Sequence, residues 1–246
     1  MQGTIVNVTL YNYITEANMC GRFTMAIDAD DVRTQLALGQ MPIDWKARYN
    51  IAPSQDIPTV PDPTNRDVVM MRWGLVPFWA KDPSVGYKMI NARAETVLEK
   101  PSYKNSFKHK RCLILADGFY EWQQAGKTKR PHFFSLKSGE AFAFAGLWDD
   151  WEPKGVSSMP GVPGITSCTI ITTDANAVVA PVHPRMPVIL TGDATHTWLE
   201  SGNQTELISL LKPLDPKLLR VWEVSSAVNS PGNQGSDLIE PVQSLI

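Results

Sequence analysis

The stretch "NMCGRFTM", residues 18–25, holds a cysteine in a setting that is neither apolar nor periodic. Of the three cysteines, Cys112 in "CLILA" and Cys168 in "SCTII" read as small buried core residues, the usual fate of a free cysteine. Cys20 instead follows Met19 and precedes Gly21 and Arg22, so that a plausible chain start lies behind residues 1–18. If Met19 initiates the working chain, its removal leaves Cys20 N-terminal. A thiol of pKa ~8.5 and an α-amine of pKa ~8 then sit on adjacent carbons. Such a 1,2-aminothiol attacks an amide as in N-terminal-nucleophile hydrolases, or condenses with an aldehyde to a Schiff base that the thiol closes into a thiazolidine. Taken alone, the stretch fits an inert loop cysteine equally well.

Three further segments carry groups that could serve such a nucleophile. "GFYEW" sets Glu121 among Phe119, Tyr120 and Trp122. Strand alternation puts Phe119 and Glu121 on one face and the other two on the opposite face. A carboxylate against aromatic surface has a raised pKa and trades protons near neutrality; a solvated strand glutamate is the plainer alternative. "PVHPRMPVIL" holds His183 between Pro181 and Pro184, with Arg185 two residues on. A backbone fixed by prolines would present the imidazole at a pocket edge as a proton donor, or simply make a structural loop. "MINARAET" offers Asn91, a donor and acceptor for a polar substrate, and Arg93, a fork for phosphate; a helix cap with a surface arginine is the alternative. His109, His132 and His196 have no zinc-ligand spacing with a cysteine, so neither a metal nor a cofactor is expected.

Two segments point toward nucleic acid. "RWGLVPFWAK" interleaves Trp73, Phe78 and Trp79 with Arg72 and Lys81, a pattern that stacks unpaired bases without reading sequence. Aromatic residues also plug cores, and Trp73 reads as a plug. "EKPSYKNSFKHKR" gathers Lys100, Lys104, Lys108, Lys110 and Arg111, a basic helix end that is either a solvated face or a guide for a phosphate backbone.

The elements that must position these groups are mostly strands. "DADDVRTQLAL" reads as a short helix capped by Asp28 or Asp30, with Leu36 and Leu38 turned inward. "RYNIAPSQDIPTV" is an extended loop entering a strand, and "NARAETVLEK" has a helical look from Asn91. "RCLILADGFYEWQQ", "KRPHFFSLK", "AFAFAGLWDDW" and "TSCTIITT" are β-type runs, the first two joined through "QAGKTK" as a hairpin. "DATHTWLE" and "TELISLLK" read as helices and "LLRVWEVSSAVN" as a late strand. Gly- and Pro-rich "EPKGVSSMPGVPG" reads as a loop within the domain. Irregularly interspersed helices predict one α+β domain with a mainly antiparallel sheet core and flanking helices.

Composition sets limits on function. Hydrophobic residues make up 43% and charged residues 20% of the 246, enough for a sizeable core. The net charge of −2 excludes an overall polyelectrolyte partner of DNA but not a local basic groove. An odd cysteine count gives no disulfide framework and suits a reducing cytosol, so a cytoplasmic location is expected. No apolar run approaches the ~20 residues of a membrane helix. Residues 1–18 lack a basic start and a long apolar core and are not a secretory signal. A mis-called start, a short propeptide or an edge strand remain as readings of them.

Taken in order, "MCGRF", "RYNIAPSQ", "WGLVPFW", "INARAET", "LADGFYEW", "TTDAN", "VHPRMPVIL" and "VSSAVNS…NQGSDLIEPV" resemble the SOS response-associated peptidase (SRAP) family, from Met19 to the C-terminus. The resemblance implies a monomeric protein that crosslinks to abasic sites in single-stranded DNA. By that resemblance Cys20 matches the catalytic N-terminal cysteine and Asn91 the asparagine that contacts the sugar. Glu121 matches a glutamate beside the new N-terminus, and His183 a histidine that assists ring opening and reversal. Arg93 and Arg185 match phosphate-contacting arginines, with Arg22 carried over beside them. Pro53 and Trp79 match the region that wedges and stacks the DNA; where some relatives have a second tryptophan, Ala80 stands here.

The departure is the N-terminal extension, residues 1–18, ahead of a domain spanning 19–246. Family chemistry needs a free amine on Cys20, so the extension is expected to be a mis-called start or a cleaved leader. The family name records a peptidase activity that could remove it. A thiol autopeptidase using Cys20, and a non-catalytic single-stranded DNA binding module, are the competing functions.

Overall fold

The computed structural model describes residues 20–153 and 163–242. The extension and most of the "EPKGVSSMPGVPG" loop lie outside the described residues. In chain order the elements are β1 (Arg22–Met25), α1 (Ala29–Gln35), β2 (Arg48–Ile51), β3 (Asp56–Val60), β4 (Val69–Trp73), β5 (Asn91–Arg93) and α2 (Pro101–His109). There follow β6 (Arg111–Ala116), β7 (Gly118–Ala125), β8 (Thr128–Leu136), β9 (Phe142–Trp151), β10 (Ile165–Asp174), β11 (Arg185–Pro187) and β12 (Ile189–Leu190). Helices α3 (Asp193–Glu200) and α4 (Gln204–Leu210) precede β13 (Leu219–Glu223). Short 3-10 turns fill several connections, at 83–88, 94–96 and 226–229 among others.

The strands form two sheets. One is five-stranded, in the order β13-β8-β7-β1-β2, and every pairing in it is antiparallel. The other runs β11-β10-β4-β3-β6-β9-β12, and a further β9–β10 pairing closes its middle into a small barrel. Only β10 with β4 and β10 with β5 run parallel among the described strands. This is the mainly antiparallel α+β domain that the pattern of strands predicts. Among the described residues, no helix is long and apolar enough to cross a membrane.

Both sheets share one apolar core, which includes Phe23, Trp73, Phe107, Phe119, Phe144 and Trp198. A smaller cluster of Tyr120, Phe133, Val224, Val228 and Leu238 covers the opposite face of the first sheet. Strand β7 is therefore buried on both faces, Phe119 toward one cluster and Tyr120 toward the other, as period-2 alternation requires. A two-residue loop links β7 to β8 with Ala125 opposite Thr128, and Gly126 supplies its positive φ of 61°.

Local signals explain most helix ends. The Asp28 side chain accepts from the Asp30 N–H at 2.9 Å, which makes Asp28 the cap of α1. Leu36 is buried and Leu38 half-buried against the core. Pro101 opens α2, whose Tyr103 and Phe107 share the inward face. The helical look of "NARAETVLEK" is a misreading at its start. Asn91–Arg93 is a strand beside Ile170–Thr172 of β10, and only a 3-10 turn at Ala94–Thr96 follows. Pairing with β10 overrides local helix propensity there.

The aromatic stretch after β4 is pinched at its neck. A Cβ on Gly74 would lie 2.6 Å from the Gly86 carbonyl oxygen, and one on Gly86 would lie 2.7 Å from that of Gly74. Gly74 also has φ of 131°, open only to glycine. Gly86→Ala should therefore destabilise the fold by about 1–3 kcal/mol, the usual cost of overpacking. Urea unfolding measures this; an unchanged midpoint would mean that the neck opens without cost.

Candidate active site

Cys20 sits two residues before β1, and the register of β1 on β7 decides what it meets. Arg22 pairs with Tyr120, Phe23 with Phe119 and Thr24 with Gly118. Running that antiparallel register back brings Cys20 to Glu121 and its neighbours. The register is locked by Phe23, which packs edge-on against Trp73 and Phe144 at 5.2 and 5.6 Å. At the other end of β1, the Asp117 carboxylate accepts from the Thr24 hydroxyl and from the Ala26 and Ile27 N–H groups.

The result is a buried contact: the Cys20 backbone N–H donates to Glu121 Oε1 at 2.7 Å. Cys20 is 3% exposed and Glu121 2%. Burial pushes the Glu121 carboxyl above its ordinary value, while the nearby His183 and the hydrogen bonds from Cys20 pull against the rise. Burial also pushes the Cys20 thiol well up, and the Glu121 carboxylate adds to that shift; Arg185 opposes it. The thiol is thus held protonated, and the most basic group on offer at a processed Cys20 would be its amine.

His183 is half-buried, with Nδ1 3.2 Å from both the N–H and the carbonyl oxygen of Arg185. Its loop is fastened by Val179, whose carbonyl accepts from His183 N–H at 3.0 Å, and by Gln123 of β7, whose amide donates to Pro181 O at 3.0 Å. Asn176 of "TTDAN" holds the loop's beginning: its Oδ1 accepts from the Val178 and Val179 N–H groups.

Arg185 is buried and heavily engaged. Its guanidinium bonds both Glu95 oxygens at 2.6 and 2.9 Å, Asp174 at 2.7 Å and the Thr172 carbonyl at 2.9 Å. The Arg185 bonds hold the Glu95 carboxyl below its usual range. Three of the quoted motifs, "NARAET", "TTDAN" and "HPRMP", meet in this network. Arg93 lies exposed opposite Thr172, and Asn91 opposite Ile170, with the Asn91 carbonyl accepting from the Tyr103 hydroxyl at 3.1 Å.

The structure thus brings Cys20, Glu121, His183 and Arg185 together, with Asn91 and Arg93 on the strand across β10. Other candidates sit elsewhere. Pro53 lies in the β2–β3 turn, where the Ser54 N–H donates to Trp73 O at 2.8 Å. Trp79 and Phe78 are each 46% exposed on the loop beyond Trp73, and Trp73 itself is the buried plug its sequence predicts. Arg22 is drawn inward, donating to Asn50 Oδ1 at 2.8 Å, Val228 O at 2.7 Å and Asn229 O at 3.2 Å.

The basic stretch 100–111 needs correction. Arg111 donates to Trp198, Leu199, Ser201, Phe107 and Lys108 carbonyls, closing the ends of α2 and α3. Lys110 pairs with Asp149 at 2.8 Å and Asp150 at 3.3 Å. Lys100, Lys104 and Lys108 are the members of the run left exposed. Glu95, Asp174 and Asn176 also build the site's framework, and all three lie inside the quoted motifs. A polar residue within an otherwise apolar or turn-rich motif is the signal that marks them.

A barrel-centred α+β fold around a buried cysteine and glutamate with a half-buried histidine beside them defines a class, and comparison with known proteins identifies it. The SOS response associated peptidase (SRAP) profile matches residues 19–231. Abasic site processing protein YoqW of Bacillus subtilis is 46% identical over 228 residues, covering 90% of this chain and 99% of that protein. Abasic site processing protein HMCES of Gallus gallus is 34% identical over 272 residues, covering 92% and 78%. A crystal structure of a Bacteroides thetaiotaomicron protein superposes with TM-score 0.79 at 26% identity, over 91% of this chain and 100% of that one. The chain belongs to the SRAP family.

The buried carboxyl makes a testable demand. With its pKa raised in the folded state, Glu121 holds its proton to higher pH than in the unfolded chain, where it titrates near ~4.3. Its contribution to stability is therefore fullest below that value and is lost as pH rises through the folded pKa. In the chain that retains residues 1–19, Glu121→Gln should gain thermal stability relative to the parent between pH about 4 and neutrality. Melting curves across that range test the sign, and parallel Tm–pH profiles would contradict it.

Proposed function

We propose that this protein recognises abasic sites in single-stranded DNA and links to them covalently through Cys20 once Cys20 is the first residue. The observation that carries the proposal is the 2.7 Å contact of the Cys20 nitrogen with a buried Glu121 carboxyl, beside His183. Relatives of this chain are named abasic site processing proteins. An abasic sugar in its open form presents an aldehyde. A carboxylate at the nitrogen takes a proton from the α-ammonium, which frees the amine to attack that aldehyde. Loss of water gives a Schiff base, and the thiol then adds across the C=N bond, its proton passing to the nitrogen, to close a thiazolidine. The same carboxyl is placed to return and remove protons in these steps. His183, half-buried near Glu121, serves the sugar ring oxygen during opening, and Asn91 the sugar hydroxyls.

The names of the relatives support this order over a dedicated thiol peptidase built from the same residues, and burial beside Glu121 pushes the Cys20 thiol up, away from the thiolate that a peptidase nucleophile needs. Arg93 is exposed and suited to a phosphate, while Arg185 contributes positive charge from within its carboxylate network. The exposed Trp79 with Phe78, and the Pro53 turn hung on Trp73, supply the stacking and wedging surface for unpaired bases. For Arg22, the contacts to Asn50, Val228 and Asn229 favour a role in holding β1 against the C-terminal segment.

A peptide nitrogen cannot form a Schiff base, so only protein starting at Cys20 should crosslink. Intact mass together with a denaturing gel of adducts on a single-stranded abasic oligonucleotide tests this, and robust adducts from a chain retaining residues 1–18 would refute it. The same oligonucleotide separates the side chains. Cys20→Ala should lose the stable adduct while leaving a borohydride-trappable imine. Glu121→Gln should slow adduct formation by about 10²–10⁴-fold, the usual worth of acid–base help. His183→Ala should slow both formation and release, by microscopic reversibility. A stable adduct from Cys20→Ala at the parent's rate would remove the cysteine from the reaction.

A further inference from the structure

We propose that Asp149, held by Lys110, is a positioning residue for the Phe78–Trp79 surface, a role that rests on the single-stranded DNA reading above. Two large aromatic side chains stand 46% exposed on this loop, yet the backbone beneath them is fastened at every turn. The Val76 N–H donates to the buried Ser167 hydroxyl at 2.8 Å. The Phe78 N–H donates to Asp149 Oδ2 at 2.9 Å, and the Trp151 indole donates to Ala80 O at 2.8 Å. Val76, Ala80 and Trp151 pack into a small apolar cluster under the loop. The Gly74–Gly86 contact closes its neck.

Asp149 is the one charged group in this scaffold that is almost fully buried, at 2% exposure. Its other oxygen accepts from Lys110 Nζ at 2.8 Å and from the Asp150 N–H at 3.0 Å. A buried carboxylate is costly unless paired and hydrogen-bonded, and Lys110, itself 4.9 Å from the Trp148 ring centre, supplies the pairing. Lys110 therefore acts through Asp149 on the loop, not on a phosphate. A stacking surface ordered in advance loses less entropy when a strand binds. Without the Phe78 N–H anchor, Phe78 and Trp79 would have to be ordered at the expense of affinity.

The test uses non-covalent binding to an undamaged single-stranded oligonucleotide, so that no step at Cys20 enters. Asp149→Ala and Trp79→Ala should each weaken binding about tenfold, within the range that a lost base–aromatic stack produces. The double variant should be little weaker than either single one, because Asp149 acts through the loop that carries Trp79. Additive losses overturn the proposal, as does parental affinity in an Asp149→Ala protein whose Tm has fallen. If the alanine variant does not fold, Lys110→Met in the same cycle with Trp79→Ala replaces it, and additive losses there overturn the proposal equally. Trp79→Ala with parental affinity removes the surface itself and overturns the proposal. The parent's adduct on an abasic strand then reports separately whether the crosslinking function stands.

Discussion

The arrangement depends on a carboxyl group placed where water cannot reach it. Glu121 lies on a strand covered on both faces, and an isolated carboxylate in such a place is strongly disfavoured. Its compensation is local: the Cys20 N–H at 2.7 Å and the nearby His183. The position of Cys20 is therefore tied to the protonation of Glu121, and both are tied to the register of β1 on β7. Phe23 sets that register by filling the gap between Trp73 and Phe144, so a core packing contact fixes the position of the Cys20 nitrogen against Glu121.

Cations are distributed unlike the picture that composition gives. Arg22, Arg66, Arg111 and Arg185 all donate to backbone carbonyls inside the protein. A guanidinium has several donors in a rigid fork, so it can close helix ends and loop crossings where neutral groups would leave carbonyls orphaned. Arg111 does this for α2 and α3, Arg66 for the turn after α1, and Arg22 for the C-terminal segment that covers Tyr120. Of the basic residues in the quoted motifs, Arg93 and the lysines of α2 are left on the surface, where Arg22, Arg111 and Arg185 are not.

Much of the architecture could be read in advance because its signals are local. Alternation in "GFYEW" correctly sorts Phe119 with Glu121 and Tyr120 with Trp122, since side-chain period in a strand is fixed by backbone geometry. Asp28 before "ADDV" marks a helix start through a hydrogen bond made within one turn, and Pro101 before "SYKNSF" through its fixed φ and missing N–H. Asn91 defeats the same approach: its strand exists because β10 offers a parallel partner some eighty residues away, and nothing near Asn91 encodes that. Lys110 and Arg111 defeat it too, because solvated and internally paired cations look alike until their partners are placed.

By itself the sequence determined the kinds of group available: a cysteine directly after Met19, a carboxyl in an aromatic strand, an imidazole between prolines, and an aromatic loop. Its ordered motifs also determined the family. Only the tertiary structure decided which of these groups meet. The Cys20–Glu121 contact spans 101 residues, and the Arg185–Glu95 pair spans 90. Such contacts are products of strand register and barrel closure, which depend on the simultaneous burial of side chains from the whole chain. The fate of each arginine was decided the same way, by which carbonyls and carboxylates the fold brought within reach.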